Sequence, residues 1–364
     1  MAVHLVPAAE AIARLAGYDA VIDARSESEY AEDRLPGALN WPSLDDSQRH
    51  EVGTLYEQVG PFDARKRGAG LVAANIARHI EAHVQDKPKG WQPLVYCWRG
   101  GQRSGSLALV LGQIGFRVHV VEGGYKAFRA AVIQQIPELA QRLQYRVICG
   151  PTGCGKTRLL HALAAQGAQV LDLEALAHHR SSVLGLIPGE PQPTQKGFDT
   201  RVWNALRNLD PARPVWVESE SRKVGNVAIH DGLIAAMRAS ACVRLDLPLD
   251  ERVRLLLEDY AFFADDAGFF CERLDALTAL RGKVQVEDWQ AMVRGGETEQ
   301  VVRELLSLHY DPGYLTSSAR NFPAFADAPV VQPRDRSPEA MRSLARELVA
   351  GNGNADAPAL QLFS

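Results

Sequence analysis

Arg146-Val-Ile-Cys-Gly-Pro-Thr-Gly-Cys-Gly-Lys-Thr157 decides the reading of this chain. Gly150, Gly155, Lys156 and Thr157 satisfy G-x-x-x-x-G-K-[ST]. Val147 and Ile148 before them are apolar and β-branched, and Leu159, Leu160 and Leu163 after them have helical spacing. Strand, glycine-rich turn and helix are the context a P-loop needs. Gly150, Gly153 and Gly155 let the backbone curl so that its N–H groups, with Thr152, face a phosphate. The helix start adds positive potential. Lys156 reaches a terminal phosphate and Thr157 is placed to hold Mg²⁺. The loop announces a phosphate, and alone it reads as a kinase or NTPase.

At 364 residues the chain has room for two domains. Its net charge of −4 argues against a basic coat for nucleic acid but leaves room for a local basic cleft. No apolar run is long enough to span a membrane, and the start MAVHLVPAAEAIARL lacks a secretory pattern. Five cysteines, an odd number without paired spacing, fit a reducing cytoplasm. No Cys/His set has zinc spacing, so no metal is assigned with certainty.

Working outward, Ala20–Ala24, Pro93–Tyr96 and Arg117–Val121 read as strands separated by helical stretches, so residues 1–135 form a small α/β unit with a parallel sheet. Leu35–Pro42 reads as a loop, and residues 45–85 as helical with a basic knot at Arg65, Lys66 and Arg67. Residues 136–144 read as a linker helix. A second α/β unit covers 145–330, with strands at Gln169–Leu173, Val215–Ser221 and Ala241–Asp246 and mostly helix from Leu249 to His309. Residues 331–364 read as a C-terminal helix and flexible tail.

Cys97 ends a strand and precedes a helix, within Cys97-Trp-Arg-Gly-Gly-Gln-Arg103. A helix start beside Arg99 and Arg103 favours the thiolate. Gly100 and Gly101 let the loop curl into an anion cradle. Such a cysteine can accept sulfur or selenium as a persulfide or perselenide, or attack phosphorus as cysteine phosphatases do. The spacing C-x5-R suits both, and an inert buried cysteine is the plain alternative. Cys149, Cys154, Cys242 and Cys271 have no comparable basic surroundings.

Asp23-Ala-Arg, Leu35-Pro-Gly-Ala, the Cys97 loop and Gly123-Gly-Tyr125 resemble a rhodanese domain. Joined to the P-loop, Leu171-Asp-Leu-Glu, His179-Arg180, Gln192-Pro-x-Gln-Lys196 and Val217-Glu-Ser-Glu-Ser221, they resemble the tRNA 2-selenouridine synthases over roughly residues 5–320. Ser181 stands where that family leads us to expect Gly. The fold class implied is α/β, a rhodanese-like domain followed by a P-loop NTPase-like domain with helical additions.

The resemblance implies an enzyme that converts wobble 2-thiouridine of tRNA to 2-selenouridine with selenophosphate, through an S-geranyl intermediate made from geranyl diphosphate. Cys97, Arg99 and Arg103 then handle selenium, and the P-loop holds a diphosphate. Asp172, Glu218 and Glu220, at strand ends on one sheet edge, are candidates for Mg²⁺ or for a base. Selenophosphate and geranyl diphosphate are substrates, and no tightly bound cofactor is expected. Trp98, Lys126, Arg129, His179, Arg180, Arg222 and Lys223, with the knot at 65–67, are the candidate tRNA contacts. Trp41 reads as core. Phe262, Phe263, Phe269 and Phe270 are a candidate wall for the geranyl chain, or simply core. A selenophosphate-supplying enzyme is a candidate partner, and the cytoplasm the expected location. The competing enzyme reading is a rhodanese-type sulfurtransferase or cysteine phosphatase coupled to a P-loop NTPase. The non-enzyme reading is a nucleotide-dependent tRNA- or protein-binding switch.

Overall fold

Alternating short strands and amphipathic helices build two units, each on its own five-stranded parallel sheet. The computed structural model describes residues 3–180, 182, 184, 185, 187 and 189–352. Ser181 and the tail beyond 352 lie outside the described residues.

The first unit runs to Ile136 and also includes Pro193–Asn204. Its strands are β1 (Val3–Pro7), β2 (Ala20–Asp23), β3 (Ala38–Asn40), β4 (Pro93–Tyr96) and β5 (Val118–Glu122), in the order β1-β5-β4-β2-β3. All four residues of β4 are buried, as a central strand covered on both faces requires. Ile22, Val95, Leu107, Leu111, Val118 and Val120 form the core around it. The stretch expected to be a loop contributes β3, whose three residues pair with Val21–Asp23. Residues 45–85 form two helices, Asp46–Gln58 and Pro61–His83.

Three expected boundaries change. The helix expected to stop near Gln135, and the linker helix at 136–144, are one helix, Gly124–Gln141. Phe128, Val132, Ile136 and Ala140 are all fully buried, and this four-residue apolar spacing carries the helix past Pro137 despite the lost N–H. Residues 193–204, assigned by sequence to the second domain, pack with the first unit. There Thr200 donates to Asp33 at 3.0 Å, Thr194 Oγ1 to the Glu32 carbonyl at 2.6 Å, and Trp203 Nε1 to Gln135 at 2.9 Å.

The second unit covers Pro137–Gln192 and the chain from Ala205 on. Its strands are β6 (Tyr145–Cys149), β7 (Gln169–Leu171), β8 (Val215–Glu218), the short hairpin pair β9 (Lys223–Val224) and β10 (Val227–Ala228), then β11 (Ala241–Leu245) and β12 (Val330–Val331). The main sheet has the order β12-β11-β6-β8-β7, with β6 central. The third change concerns the C-terminal stretch. Residues 330–331 are an edge strand of this sheet, and Met341, Leu344 and Ala345 of the helix Pro338–Asn352 are buried with Leu159, Leu160 and Leu163. That stretch is therefore part of the P-loop domain. The helices between Leu249 and Asn321 include a core of their own around Phe270, Leu274, Trp289 and Val301. Among the described residues no helix is long and apolar enough to cross a membrane.

Candidate active site

Two chemical centres emerge, one in each unit. In the first, Cys97 follows β4 directly and the helix Gln102–Ile114 begins five residues later. The loop is fastened by Gly123-Gly-Tyr125. Tyr125 N–H donates to the Cys97 carbonyl at 2.8 Å and Lys126 N–H to the Trp98 carbonyl at 3.0 Å. Gly124 has φ +58°, and a Cβ there would stand 2.2 Å from the Cys97 carbonyl oxygen, so only glycine permits the contact. Cys97 is 3% exposed, and its Sγ accepts a hydrogen bond from Ser104 Oγ at 3.1 Å.

The two arginines diverge. Arg99 is exposed and makes no ion pair among the described residues. Arg103, expected to meet the anion, is instead paired with Glu29 at 2.7 Å, and Glu29 also takes Arg49 at 3.2 Å. Burial opposes ionisation of Glu29, but Arg103 and Arg49 prevail and hold its carboxyl below the usual range. Arg103 therefore braces the loop, and Arg99 is its uncompensated cation. Beneath lies a buried polar base. Arg25, fully buried, binds Asp23 at 2.6 Å and the Asp33 carbonyl at 2.6 Å, and its guanidinium lies 4.0 Å from the centre of the Tyr125 ring. Tyr96 donates to Asp23 at 2.7 Å and Tyr125 to Asp33 at 2.8 Å.

In the second unit the P-loop lies between β6 and the helix Lys156–Ala165. Gly155 has φ +87° and its missing side chain leaves room for Met341 Cε, 2.6 Å from where a Cβ would sit. Gly150 closes the turn beneath it: a Cβ there would meet Cys154 Sγ at 2.4 Å. Lys156 Nζ rests on the Gly150 carbonyl at 3.1 Å. Burial opposes its charge, yet Cys154, Glu218 and the other groups around it hold the ammonium above the ordinary lysine range. Thr152, Gly153, Gly155, Lys156 and Thr157 all line a cavity of about 840 Å³.

Three carboxylates face the loop. Glu174, Glu218 and Glu220 have oxygens within 4.8 Å of one another, a set able to hold a metal ion. Thr157 Oγ1 lies 3.4 Å from Glu174. Glu218 is 4% exposed, and its Oε1 has no hydrogen-bond partner among the described residues. Burial first, and then the Glu174 carboxylate, push its carboxyl up to about 8. Asp172 lines the cavity but is outside this set. It caps the helix Leu173–Ala177 by accepting from Ala175 N–H at 2.8 Å and holds His161 at 2.7 Å. Sequence reasoning places Glu174, two positions on, at the same strand end within Leu171-Asp-Leu-Glu, but does not name it as a site residue. A capping Asp before a short helix was the available signal.

The basic candidates scatter. Arg129 is used internally, bonded to Asp199 and the Lys196 carbonyl. His179 is buried, and burial pushes its pKa down. Arg180 sits over the Tyr260 ring at 4.5 Å beside the cavity. Arg222 pairs with Asp231 at 2.9 Å, and Lys126 and Lys223 are exposed. In the basic knot Lys66 pairs with Asp63 and Arg67 with Glu51, on a solvated helix. Trp98 is half-buried, 5.4 Å from the Tyr125 ring, and Trp41 is buried against His79 and His83. Cys149, Cys154, Cys242 and Cys271 are buried. Phe263 and Phe270 are buried and stacked at 4.5 Å, with Phe262 and Phe269 partly buried against them.

A cysteine-loop domain followed by a P-loop domain is the class that fold and site define. Comparison with known proteins agrees: the Rhodanese-like domain matches residues 7–131, and the tRNA 2-selenouridine synthase AAA domain matches residues 143–280. A tRNA 2-selenouridine synthase of Marinobacter nauticus is 31% identical over 326 residues, 81% of this chain and 87% of that protein. The one from Nitrosomonas europaea is 36% identical over 244 residues, 66% of this chain and 63% of that protein. Among solved structures, a rhodanese-related protein of Thermoplasma volcanium is 16% identical over 35% of this chain and 92% of its own, with a TM-score of 0.24. The chain belongs to the tRNA 2-selenouridine synthase family.

Proposed function

We propose that the chain replaces the sulfur of 2-thiouridine at the tRNA wobble position by selenium, in two steps served by its two centres. In the first, the thiocarbonyl sulfur attacks C1 of geranyl diphosphate, the C–O bond breaks, diphosphate leaves and N3 of the base gives up its proton. The observation that carries this reading is the P-loop cavity of about 840 Å³, lined by Lys156 and Thr157 with three carboxylates beside them. Such a site stabilises a departing diphosphate through N–H groups and an ammonium. Glu174, Glu218 and Glu220 would hold Mg²⁺ there, which supplies charge to the leaving group.

In the second step the selenium of selenophosphate adds at C2, the C–S bond breaks and geranyl thiol departs with a proton, and water cleaves the Se–P bond to release phosphate. Alkylation has made that sulfur a better leaving group. The Cys97 loop, with Arg99 as its free cation, is the centre assigned to selenium. The family membership and the cysteine loop support this division.

The test is to incubate the protein with 2-thiouridine tRNA and add geranyl diphosphate and selenophosphate separately and together. Digestion and mass spectrometry should then show S-geranyl-2-thiouridine with the first donor alone, and 2-selenouridine with both. Steady ATP or GTP turnover with no modified nucleoside would instead select the sulfurtransferase or phosphatase reading.

A further inference from the structure

Beside the P-loop cavity lies a second, small and almost wholly apolar space of about 40 Å³. Thr152, Ser182, Leu256, Tyr260 and Tyr310 line both, so the small space adjoins the phosphate cavity. Its deeper wall is Phe263, Phe270, Val302, Leu305 and Leu306, none of which lines the larger cavity. Phe270, Leu305 and Leu306 are each 3% exposed or less and belong to well-packed helices. Leu305, Leu306 and Tyr310 come from a π-helical turn, Leu305–Tyr310. Widened turns of this kind are rare and concentrate at functional sites.

We infer that this space is the end stop for the hydrocarbon chain of an organic diphosphate whose head lies in the P-loop. A phosphate cradle beside an apolar slot suits a ligand charged at one end and apolar at the other. A water gains nothing there, because too few polar groups face the slot. At about 40 Å³ the slot takes only the last carbons of a chain. The rest must lie in the larger cavity, so the floor at Phe270, Leu305 and Leu306 sets the longest chain accepted. The inference rests on the donor reading above and adds the residues that measure the chain.

The experiment compares inorganic pyrophosphate with dimethylallyl, geranyl and farnesyl diphosphates, by calorimetric binding and by single-turnover transfer to 2-thiouridine tRNA. It uses wild type, Phe270→Leu, which deepens the slot, and Val302→Phe, which fills it. Each methylene lost from burial is worth about four-fold in affinity. Val302→Phe should therefore weaken geranyl diphosphate about ten-fold, and Phe270→Leu should raise the farnesyl-to-geranyl ratio by a similar factor. Pyrophosphate, which has no chain, reports whether each variant retains its P-loop cavity, and the two variants change packing in opposite senses. If wild type binds pyrophosphate as tightly as geranyl diphosphate, the donor reading and the slot both fall. If wild type prefers geranyl diphosphate but neither variant alters the chain-length profile while pyrophosphate binding persists, the slot alone is overturned.

Discussion

Arg252 donates two hydrogen bonds to the carbonyl of Thr152, from Nε at 2.9 Å and from Nη2 at 2.7 Å, while the same guanidinium grips Asp311 at 2.6 Å and 3.0 Å. Arg252 is 6% exposed and comes from the helix Leu249–Asp259. Its grip fixes the orientation of a P-loop carbonyl. A carbonyl left without a partner would be free to turn toward the phosphate it should avoid.

Replacing Arg252 by Met should therefore weaken pyrophosphate binding at least ten-fold, while Arg252→Lys, with one rather than two parallel donors, should recover part of it. The same change to Met should cost about 2 kcal/mol of stability in urea unfolding. That is less than the loss for a fully buried pair, because Asp311 retains 31% of its side-chain exposure. Unchanged pyrophosphate affinity in a folded Arg252→Met protein would remove the anchor from the account.

Glu218 gives a pH prediction. Its folded pKa is raised, so the folded state binds more protons than the unfolded chain between the ordinary carboxylate range and about 8. Stability should be highest at the acidic end of that window and fall as pH rises toward 8. Glu218→Gln should flatten this dependence and raise the melting temperature most at the alkaline end. A divalent cation must displace the proton, so calorimetry near pH 7 in buffers of different ionisation enthalpy should show proton release on Mg²⁺ binding. Identical heats across buffers would argue against Glu218 as a ligand.

How much of this was legible beforehand depends on range. The P-loop and the Cys97 loop are written in contiguous residues, so their elements and glycines were readable from spacing. Glu174 was displaced by Asp172 because strand-end reasoning cannot tell which carboxylate a following helical turn uses as its cap. Arg252 lies in a helix of ordinary amphipathic pattern, and only tertiary contact with Thr152 distinguishes it. Arg103 looked free because its neutralising partner, Glu29, is 74 positions away. The strand at Val330–Val331 and the attachment of 193–204 to the first unit are likewise set by long-range packing, which no local period encodes.

The attachment of 193–204 makes its own prediction. Asp33 is buried and accepts from both Tyr125 and Thr200, and burial raises its pKa against those bonds. Thr200→Val keeps the shape and removes one donor to a buried carboxyl, so it should cost about 1–2 kcal/mol in thermal or urea unfolding. In a double-mutant cycle with Asp33→Asn the two changes should be non-additive, since they share one bond. Full additivity would show that Thr200 contributes packing only.

Last, the two centres should separate by mutation. Lys156→Ala removes the ammonium that would meet the departing diphosphate, and loss of one such charge typically costs a hundred-fold or more, about 3 kcal/mol of barrier. S-geranylation of 2-thiouridine tRNA should fall by that factor, measured in single turnover without selenophosphate. Cys97→Ser leaves the P-loop residues untouched and should leave geranylation near wild type, while 2-selenouridine disappears and the S-geranyl nucleoside accumulates. Supplying pre-geranylated tRNA then bypasses the first step. Lys156→Ala should convert it to 2-selenouridine at close to the wild-type rate, and Cys97→Ser should not. If Cys97→Ser lost both products equally, or if Lys156→Ala failed on pre-geranylated tRNA, the assignment of one step to each centre would be wrong.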